Sequence, residues 1–346
     1  MSSANQCRPE RFFAAAYTSF QQATRQPVMR DYVIGGYAMR LCFASTALVP
    51  IVTPAFAHLA TTADGITPAL TICLWDSVST GTRMPAPPWT FERFSRHPVI
   101  RGYSNARFHT TFDGGTGVLN MLDRQQGLAL YWVHDARLLP TYESGTPLVH
   151  VLHGWMRHQG RHVLHAAAVG TATGGALLVG RGGIGKSTTA LACLLSQLVY
   201  VGDDYCLLAM QPVPYVHGLY NSGKMDAASV QRLPFLAPFM RYAEPGEKAI
   251  VFVYEHYPEK VVAVFPLRTV LLPHVTGRMD TVWRHASPAE GLRALAPSTL
   301  LQLPGAEQDA LRMMAALVRQ VPCYHLEVGQ QMGQIPEVIG ALIGGE

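Results

Sequence analysis

Charged residues, and lysine in particular, are scarce in this sequence. Lys, Arg, Asp and Glu make up 14% of the 346 residues, and the formal net charge is +4. So low a charged fraction excludes a disordered, solvated chain. Because no basic cluster or basic amphipathic helix accompanies the weak positive charge, we expect no nucleic-acid partner. The only lysines are Lys186, Lys224, Lys248 and Lys260.

Cysteine pairs of the CxxC type are absent, although six cysteines are scattered along the chain. In a chain of this length that distribution is typical of reduced cytosolic thiols and argues against a disulfide framework. The segment MSSANQCRPE at the start is polar and lacks the apolar stretch of a secretory signal. We therefore expect a cytoplasmic protein.

Long hydrophobic runs are also few, and only one invites a membrane interpretation. Leu41–Ala57 carries no charge over 17 residues, which is at the bottom of the range for a spanning helix. Pro50 and Pro54 interrupt this run, and His58 closes it. A strand followed by a short buried helix explains it better than a membrane span does. We therefore expect no membrane association.

The apolar patterning divides the chain into two predicted domains, residues 1–146 and 147–346. The first has the pattern of a small α+β domain and shows no recognisable chemistry. The second alternates strand-like and helix-like segments, which is typical of an α/β fold. Ser287 to Glu290 has the pattern of a capping box that begins a helix. Other predictions in this domain are helices at Leu148–Arg157 and Ser187–Leu198, one strand at His162–Val169, and paired strands at Ala249–Tyr254 and Val261–Phe265.

The strongest motif is GRGGIGKS at residues 180–187, which satisfies the pattern GxxxxGK[ST]. A β-like run precedes it and a helical pattern follows it, as a phosphate-binding loop requires. Its glycines leave backbone N–H groups free to surround phosphate oxygens, and the N–H groups at the start of the following helix face the same anion. Lys186 is expected to reach the β- and γ-phosphates, and the Ser187 hydroxyl to ligate Mg²⁺. A Gly-rich turn without nucleotide is the alternative. The predicted nucleotide-binding residues are Gly180, Arg181, Gly182, Gly183, Ile184, Gly185, Lys186, Ser187 and Thr188.

Two adjacent acids end the next predicted strand, in the segment LVYVGDD. Asp203 and Asp204 lie 17 and 18 residues after Lys186, which makes a very short crossover. Two carboxylates suggest two roles, one holding Mg²⁺ and the other accepting a proton from an acceptor hydroxyl. A helix cap or turn is the alternative, since Asp favours both.

The motifs HAAAVG at 165–170, GRGGIGKST at 180–188 and VGDD at 201–204 together resemble the HPr serine kinases and their relatives. A looser likeness extends through YNSGKMD at 220–226, EKAIVFVY at 247–254 and PLRTVLLP at 266–273. These later segments look like the related kinases of peptide-biosynthesis clusters, including those that act on lasso-peptide precursors. The resemblance implies an α/β kinase core of HPr-kinase type with a smaller N-terminal α+β domain.

The resemblance also implies roles for individual residues. His165 would lie beside the γ-phosphate, Asp204 would accept the serine proton, and Asp203 would support Mg²⁺ or orient its neighbour. The Gly-rich acidic segment that serves dephosphorylation in the bifunctional HPr kinase/phosphorylases is not found after the Asp pair. We therefore expect a one-way kinase rather than a kinase/phosphorylase.

Several of these side chains have simpler interpretations. Without the spacing of the family motifs, His165 would be interpreted as a buried strand histidine whose ring nitrogens have hydrogen-bond partners. The run of His150, His153, His158 and His162 up to His165 could suggest zinc, but no Cys, Asp or Glu joins it. Lys224 and Lys248 either contact phosphate or face solvent.

The motifs and the resemblance together predict an ATP- and Mg²⁺-dependent kinase that phosphorylates a serine-type hydroxyl, and we expect the acceptor to be a peptide or protein such as a biosynthetic precursor. A kinase of a small molecule such as free serine is the second hypothesis. An ATP-binding regulator without catalysis is the third, and the second carboxylate argues against it. A homo-oligomer is possible, because the family often assembles through its kinase domain.

Overall fold

The computed structural model describes residues 8–62, 65–90, 98–242, 247–303 and 307–344, which fall into two compact units. The first unit runs to Pro54 and continues over Leu59–Gln159. The second contains Ala55–His58 and the chain from Gly160 onward. The first unit ends beyond residue 146, the predicted domain boundary, and it includes the helix Val149–Met156.

A seven-stranded sheet forms the centre of the first unit, with strand order β3-β1-β2-β4-β7-β6-β5. The β2–β4 and β4–β7 pairs are parallel and the others are antiparallel. The strands are β1 Val28–Ile34, β2 Tyr37–Phe43, β3 Ala60–Thr61, β4 Leu70–Asp76, β5 Phe108–Asp113, β6 Val118–Asp123 and β7 Leu128–Val133.

Five α-helices belong to the described part of the first unit. The apolar face of the first helix buries Phe12, Phe13 and Phe20 in a cluster that includes Trp75. The run that starts at Leu41 forms the end of β2 and then short helical turns, so a strand followed by a short helix is confirmed. No helix among the described residues is long and apolar enough to cross a bilayer. The helices are α1 Pro9–Ala23, α2 Val49–Val52, α3 Ser77–Thr80, α4 Thr141–Gly145 and α5 Val149–Met156.

The second unit is built on a mixed sheet of nine strands. Its path runs β11-β9-β10-β16-β13-β12-β8, and β18 joins β16 to β17. A separate two-stranded sheet pairs β14 with β15. The strands are β8 Arg161–Leu164, β9 Ala166–Thr171, β10 Gly174–Val179, β11 Val199–Gly202, β12 Cys206–Ala209, β13 Tyr215–Gly218, β14 Ser222–Met225, β15 Ala249–Phe252, β16 Val264–Val275, β17 Val282–Ala286 and β18 Cys323–Val328.

Helices cover both faces of this sheet, as expected for an α/β fold. One hydrophobic cluster joins the sheet to α6 and α11, and another joins it to α9 and α10. The capping box is confirmed, since the Ser287 hydroxyl accepts from the Glu290 N–H and the Glu290 carboxylate accepts from the Ser287 N–H. The helices are α6 Lys186–Ala192, α7 Ala227–Arg232, α8 Val253–His256, α9 Pro288–Gln302, α10 Glu307–Gln320 and α11 Gln334–Gly344.

Three secondary-structure predictions need correction. The prediction of a single strand at His162–Val169 is wrong. The chain bends at His165, so that β8 pairs with β12 whereas β9 pairs with β10 and β11. The predicted pairing of Ala249–Tyr254 with Val261–Phe265 is also wrong, because β15 pairs with β14. The helix predicted to reach Leu198 ends earlier, since the Ser196 hydroxyl accepts from the Leu198 N–H and closes a turn there.

Candidate functional site

Three strands of the second unit bring the predicted motifs to one edge of the sheet. β9 lies between β10 and β11 and runs antiparallel to both. The edge where β10 and β11 end is therefore the edge where β9 begins. The glycine-rich loop follows β10, Asp203 follows β11, and His165 precedes β9. The backbone N–H of Ala166 donates to the carbonyl of Asp204 at 3.1 Å, which ties the two chain segments together.

The glycine-rich loop has a backbone that other residues would strain. Gly180, Gly183 and Gly185 have φ angles of +143°, +80° and +108°, in the region that side chains disfavour. At Gly185 a Cβ would also lie 2.8 Å from Cγ2 of Val275. The pattern of glycines in the motif therefore has a local steric reason as well as a chemical one.

Lys186 points back into this loop. Its ammonium donates to the carbonyl oxygens of Gly180 at 2.8 Å and Arg181 at 3.2 Å. Burial lowers the pKa of Lys186, while the negative charges of Asp203 and Asp204 oppose that shift. The lysine is thus held by neutral acceptors, which an anion with higher charge can displace.

Asp203 is fully buried behind the loop. Its Oδ2 accepts from the backbone N–H of Lys224 at 3.3 Å, whereas Oδ1 has no hydrogen-bond partner of good geometry. Burial and the charge of Asp204 raise the pKa of Asp203, and the nearby Ser187 hydroxyl opposes that shift. A buried carboxylate oxygen without a partner next to a serine hydroxyl fits the donor set that Mg²⁺ prefers.

Asp204 lies at the centre of a charged cluster and has a left-handed backbone with φ of +61°. Its Oδ2 is 2.9 Å from Nζ of Lys224, and its Oδ1 is 3.7 Å from Nε2 of His165. Burial alone would raise the pKa of Asp204, but the Lys224 charge and the nearby His165 ring outweigh it and lower that pKa. The carboxylate is therefore held in its ionised form.

His165 occupies the bend between β8 and β9. Its side chain is buried, and its Nδ1 has no hydrogen-bond partner. Its backbone N–H donates to the Thr299 hydroxyl at 3.1 Å, and its ring lies 5.7 Å from that of Tyr205. The alternative of a strand histidine with a satisfied ring does not match this position, because His165 lies at a bend between strands and its Nδ1 has no hydrogen-bond partner.

A cavity of about 210 Å³ opens onto these residues. Three of the four lysines in the chain line it, and Arg232 adds a fourth cationic side chain. Asp204 and Asp226 are its acidic lining residues, so cationic groups outnumber acidic groups by two. The described lining residues are His165, Gly182, Gly183, Gly185, Lys186, Ser187, Thr188, Asp204, Lys224, Met225, Asp226, Ala228, Ser229, Arg232, Lys248 and Val275.

Some predicted residues do not reach this cavity. Arg181 is exposed, and Gly180 and Asp203 lie behind the lining. The Ile184 side chain folds back over Gly180, where an added Cβ would lie 3.0 Å from Cγ2 of Ile184. Arg232 belonged to no sequence motif and Asp226 only ended the loosely similar segment YNSGKMD, whereas the scarcity of lysine was a signal for Lys224 and Lys248.

The zinc alternative finds no support in the described residues, where no group of three His, Cys, Asp or Glu side chains is placed to hold a metal. His150 belongs to α5 in the first unit and His165 to the second. Burial lowers the pKa of His150.

Comparisons with known proteins give limited information. No family model and no curated protein matches the sequence. One matching solved structure is the Hpr(Ser) kinase/phosphatase from Coxiella burnetii, at 14% identity and a TM-score of 0.29. The match covers 51% of this chain and 93% of that chain. A similarity at this level carries no conclusion about the activity of this chain.

Proposed function

We propose that this protein is an ATP- and Mg²⁺-dependent phosphotransferase that acts on a serine-type hydroxyl. The observation that carries the proposal is the convergence of Lys186, Asp204 and His165 on one cavity in which cationic side chains predominate. A triphosphate needs several positive groups, and phosphoryl transfer to a hydroxyl also needs a proton acceptor. Both requirements are met by residues of one cavity.

The loop and its lysine would bind the phosphates. Lys186 would exchange the carbonyls of Gly180 and Arg181 for phosphate oxygens, and Thr188 lines the same side of the cavity. Ser187 and Asp203 would hold Mg²⁺, which neutralises phosphate charge when bound. The unpartnered Oδ1 of Asp203 supports this assignment.

Asp204 would take the proton in the transfer step. The acceptor oxygen forms a bond to the γ-phosphorus, the bond from that phosphorus to the bridging oxygen breaks, and the nucleoside diphosphate leaves. The hydroxyl proton passes to the Asp204 carboxylate. A carboxylate with a lowered pKa is a weak base, which suffices if the transition state is loose and the proton leaves late.

The acceptor is proposed from the sequence resemblance alone, as a peptide or protein such as a biosynthetic precursor. On the same ground we propose transfer in one direction, without phosphorolysis of phosphoserine. A small-molecule acceptor and a regulator that only binds ATP are the competing hypotheses.

The test is incubation of the purified protein with labelled ATP, Mg²⁺ and candidate peptide or small-molecule acceptors. Lys186→Ala should lose both nucleotide binding and transfer. Asp204→Asn should keep nucleotide binding and lose transfer by at least about 100-fold, the scale of general base catalysis. Lys260→Met is the matched control, since Lys260 lies outside the cavity. Transfer that survives Lys186→Ala would refute the proposal, and Lys186-dependent binding without any transfer would favour the regulator.

A further inference from the structure

Lys224 has no role in the motifs that identified the site, yet it contacts both acids of the Asp pair. Its backbone N–H donates to Oδ2 of Asp203 at 3.3 Å, and its ammonium lies 2.9 Å from Oδ2 of Asp204. The lysine side chain is 12% exposed and lines the cavity. Lys224 therefore links the buried Asp203 to the partly buried Asp204.

The backbone of Lys224 is fixed while its ammonium can move. β14 approaches α6 closely at Gly223, where a Cβ would lie 2.9 Å from Cδ2 of Leu191. Pairing with Ile250 of β15 also holds the Lys224 backbone. The ammonium stands at the end of four methylenes, so it can leave Asp204 without any movement of the strand.

We propose that Lys224 is a phosphate-binding residue that also controls when Asp204 can act as a base. Until nucleotide binds, it keeps the Asp204 carboxylate in an ion pair. With the cavity empty, its ammonium neutralises the Asp204 carboxylate. A bound nucleotide offers phosphate oxygens with more charge than one carboxylate, and these attract the ammonium. Asp204 is then released to the acceptor hydroxyl only when a phosphoryl donor is in place. This inference rests on the proposed function.

If Asp204 and phosphate compete for the Lys224 ammonium, the effect of an Asp204 substitution on nucleotide binding must depend on Lys224. Asp204→Asn should tighten the binding of a nucleotide for two reasons, loss of a like charge and release of Lys224. In a Lys224→Met background only the first reason remains. The effect of Asp204→Asn should therefore be smaller in that background, which is the non-additivity that a double-mutant cycle measures.

The experiment is calorimetric titration with Mg²⁺ and the non-hydrolysable analogue AMP-PNP. Asp204→Asn should lower the dissociation constant at least about fivefold when Lys224 is present. In the Lys224→Met background it should lower that constant less than about twofold. A difference of this size is typical of the coupling between contacting residues. Lys248→Met is the matched control, because it removes the same charge from the same cavity without contacting Asp204. In that background the full Asp204→Asn effect should remain.

A lysine that is only structural would change the free energy of unfolding and leave the cycle additive. If Lys224→Met alone fails to fold, Lys224→Gln, which also removes the charge but keeps a polar end group, takes its place in both the single and the double variant. Equal effects of Asp204→Asn with and without Lys224 would overturn the role proposed for Lys224 but not the proposed function. Absence of AMP-PNP binding, or binding that Lys186→Ala leaves unchanged, would instead overturn the proposed function.

Discussion

Replacing Asp203 by Asn should affect stability in the direction opposite to most changes in a protein core. The Asp203 side chain is fully buried, and its Oδ1 has no hydrogen-bond partner. A buried polar atom without a partner costs about 1 to 3 kcal/mol, and more when it is charged. Asparagine has nearly the same shape and no charge. We therefore expect the free energy of unfolding of Asp203→Asn, without metal or nucleotide, to equal that of the wild type or exceed it by about 1 kcal/mol.

The same substitution should remove the response to Mg²⁺. A ligand at 100 times its dissociation constant stabilises a folded protein by about 2.7 kcal/mol. We expect wild-type protein to gain stability from ADP in EDTA and to gain a further increment when Mg²⁺ is added. Asp203→Asn should keep the first gain and lose most of the second.

Differential scanning calorimetry with ADP, with and without Mg²⁺, measures both quantities. Asp226→Asn is the matched control, because Asp226 lines the same cavity but accepts a hydrogen bond from the Ser229 N–H at the start of α7. Asparagine caps a helix about as well as aspartate, so this variant should keep the full Mg²⁺ increment. The metal assignment is refuted if Asp203→Asn still shows the full Mg²⁺ increment. A melting temperature well below that of the wild type without ligand would contradict the argument from burial.

Two further predictions concern the loop and the interior of the second unit. Gly185→Ala should lower the free energy of unfolding by about 1 to 3 kcal/mol and weaken AMP-PNP binding, because φ is +108° and the new Cβ would lie 2.8 Å from Val275. Gly182→Ala, whose Cβ would meet nothing within 4 Å, should leave stability unchanged in denaturant titrations, and equal losses in both would contradict the steric argument. Burial lowers the pKa of His58 to about 3, so the unfolded chain takes up a proton below its own pKa while the folded chain does not. Stability should therefore fall as pH drops, by about 1.4 kcal/mol from this residue between pH 7.5 and 5.5. His58→Gln should flatten that dependence in denaturant titrations, and an unchanged slope would show that His58 is not the cause.

The glycine-rich loop is the part of the candidate site whose local structure could best be predicted from the sequence. Its glycines and Lys186 are specified by local geometry, and local geometry leaves a spacing in the sequence. Arg232 and Lys248 could not be placed in the same way, because α7 and the start of β15 reach the cavity only through tertiary packing. For Lys248 the scarcity of lysine was a sequence signal, since three of the four lysines line one cavity, whereas Arg232 had no such signal.

The strand errors have a common physical cause. A run such as HVLHAAAV is apolar enough to be one buried strand, and periodicity does not show where a strand changes partners. The bend at His165 exists because β8 pairs with β12 while β9 pairs with β10 and β11. Those partners lie far away in sequence, so the bend was not predictable from the run itself.

The bend also explains why a histidine can join the two acids. In an all-parallel sheet only strand ends meet at the edge that carries a phosphate loop. Here the antiparallel strand β9 begins at that edge, so the residue that precedes it, His165, faces the residues that follow β11. The hydrogen bond from Ala166 to Asp204 then fixes the two segments against each other. Asp204 is thus positioned from both sides without a long loop, which is consistent with the short crossover between Lys186 and Asp204.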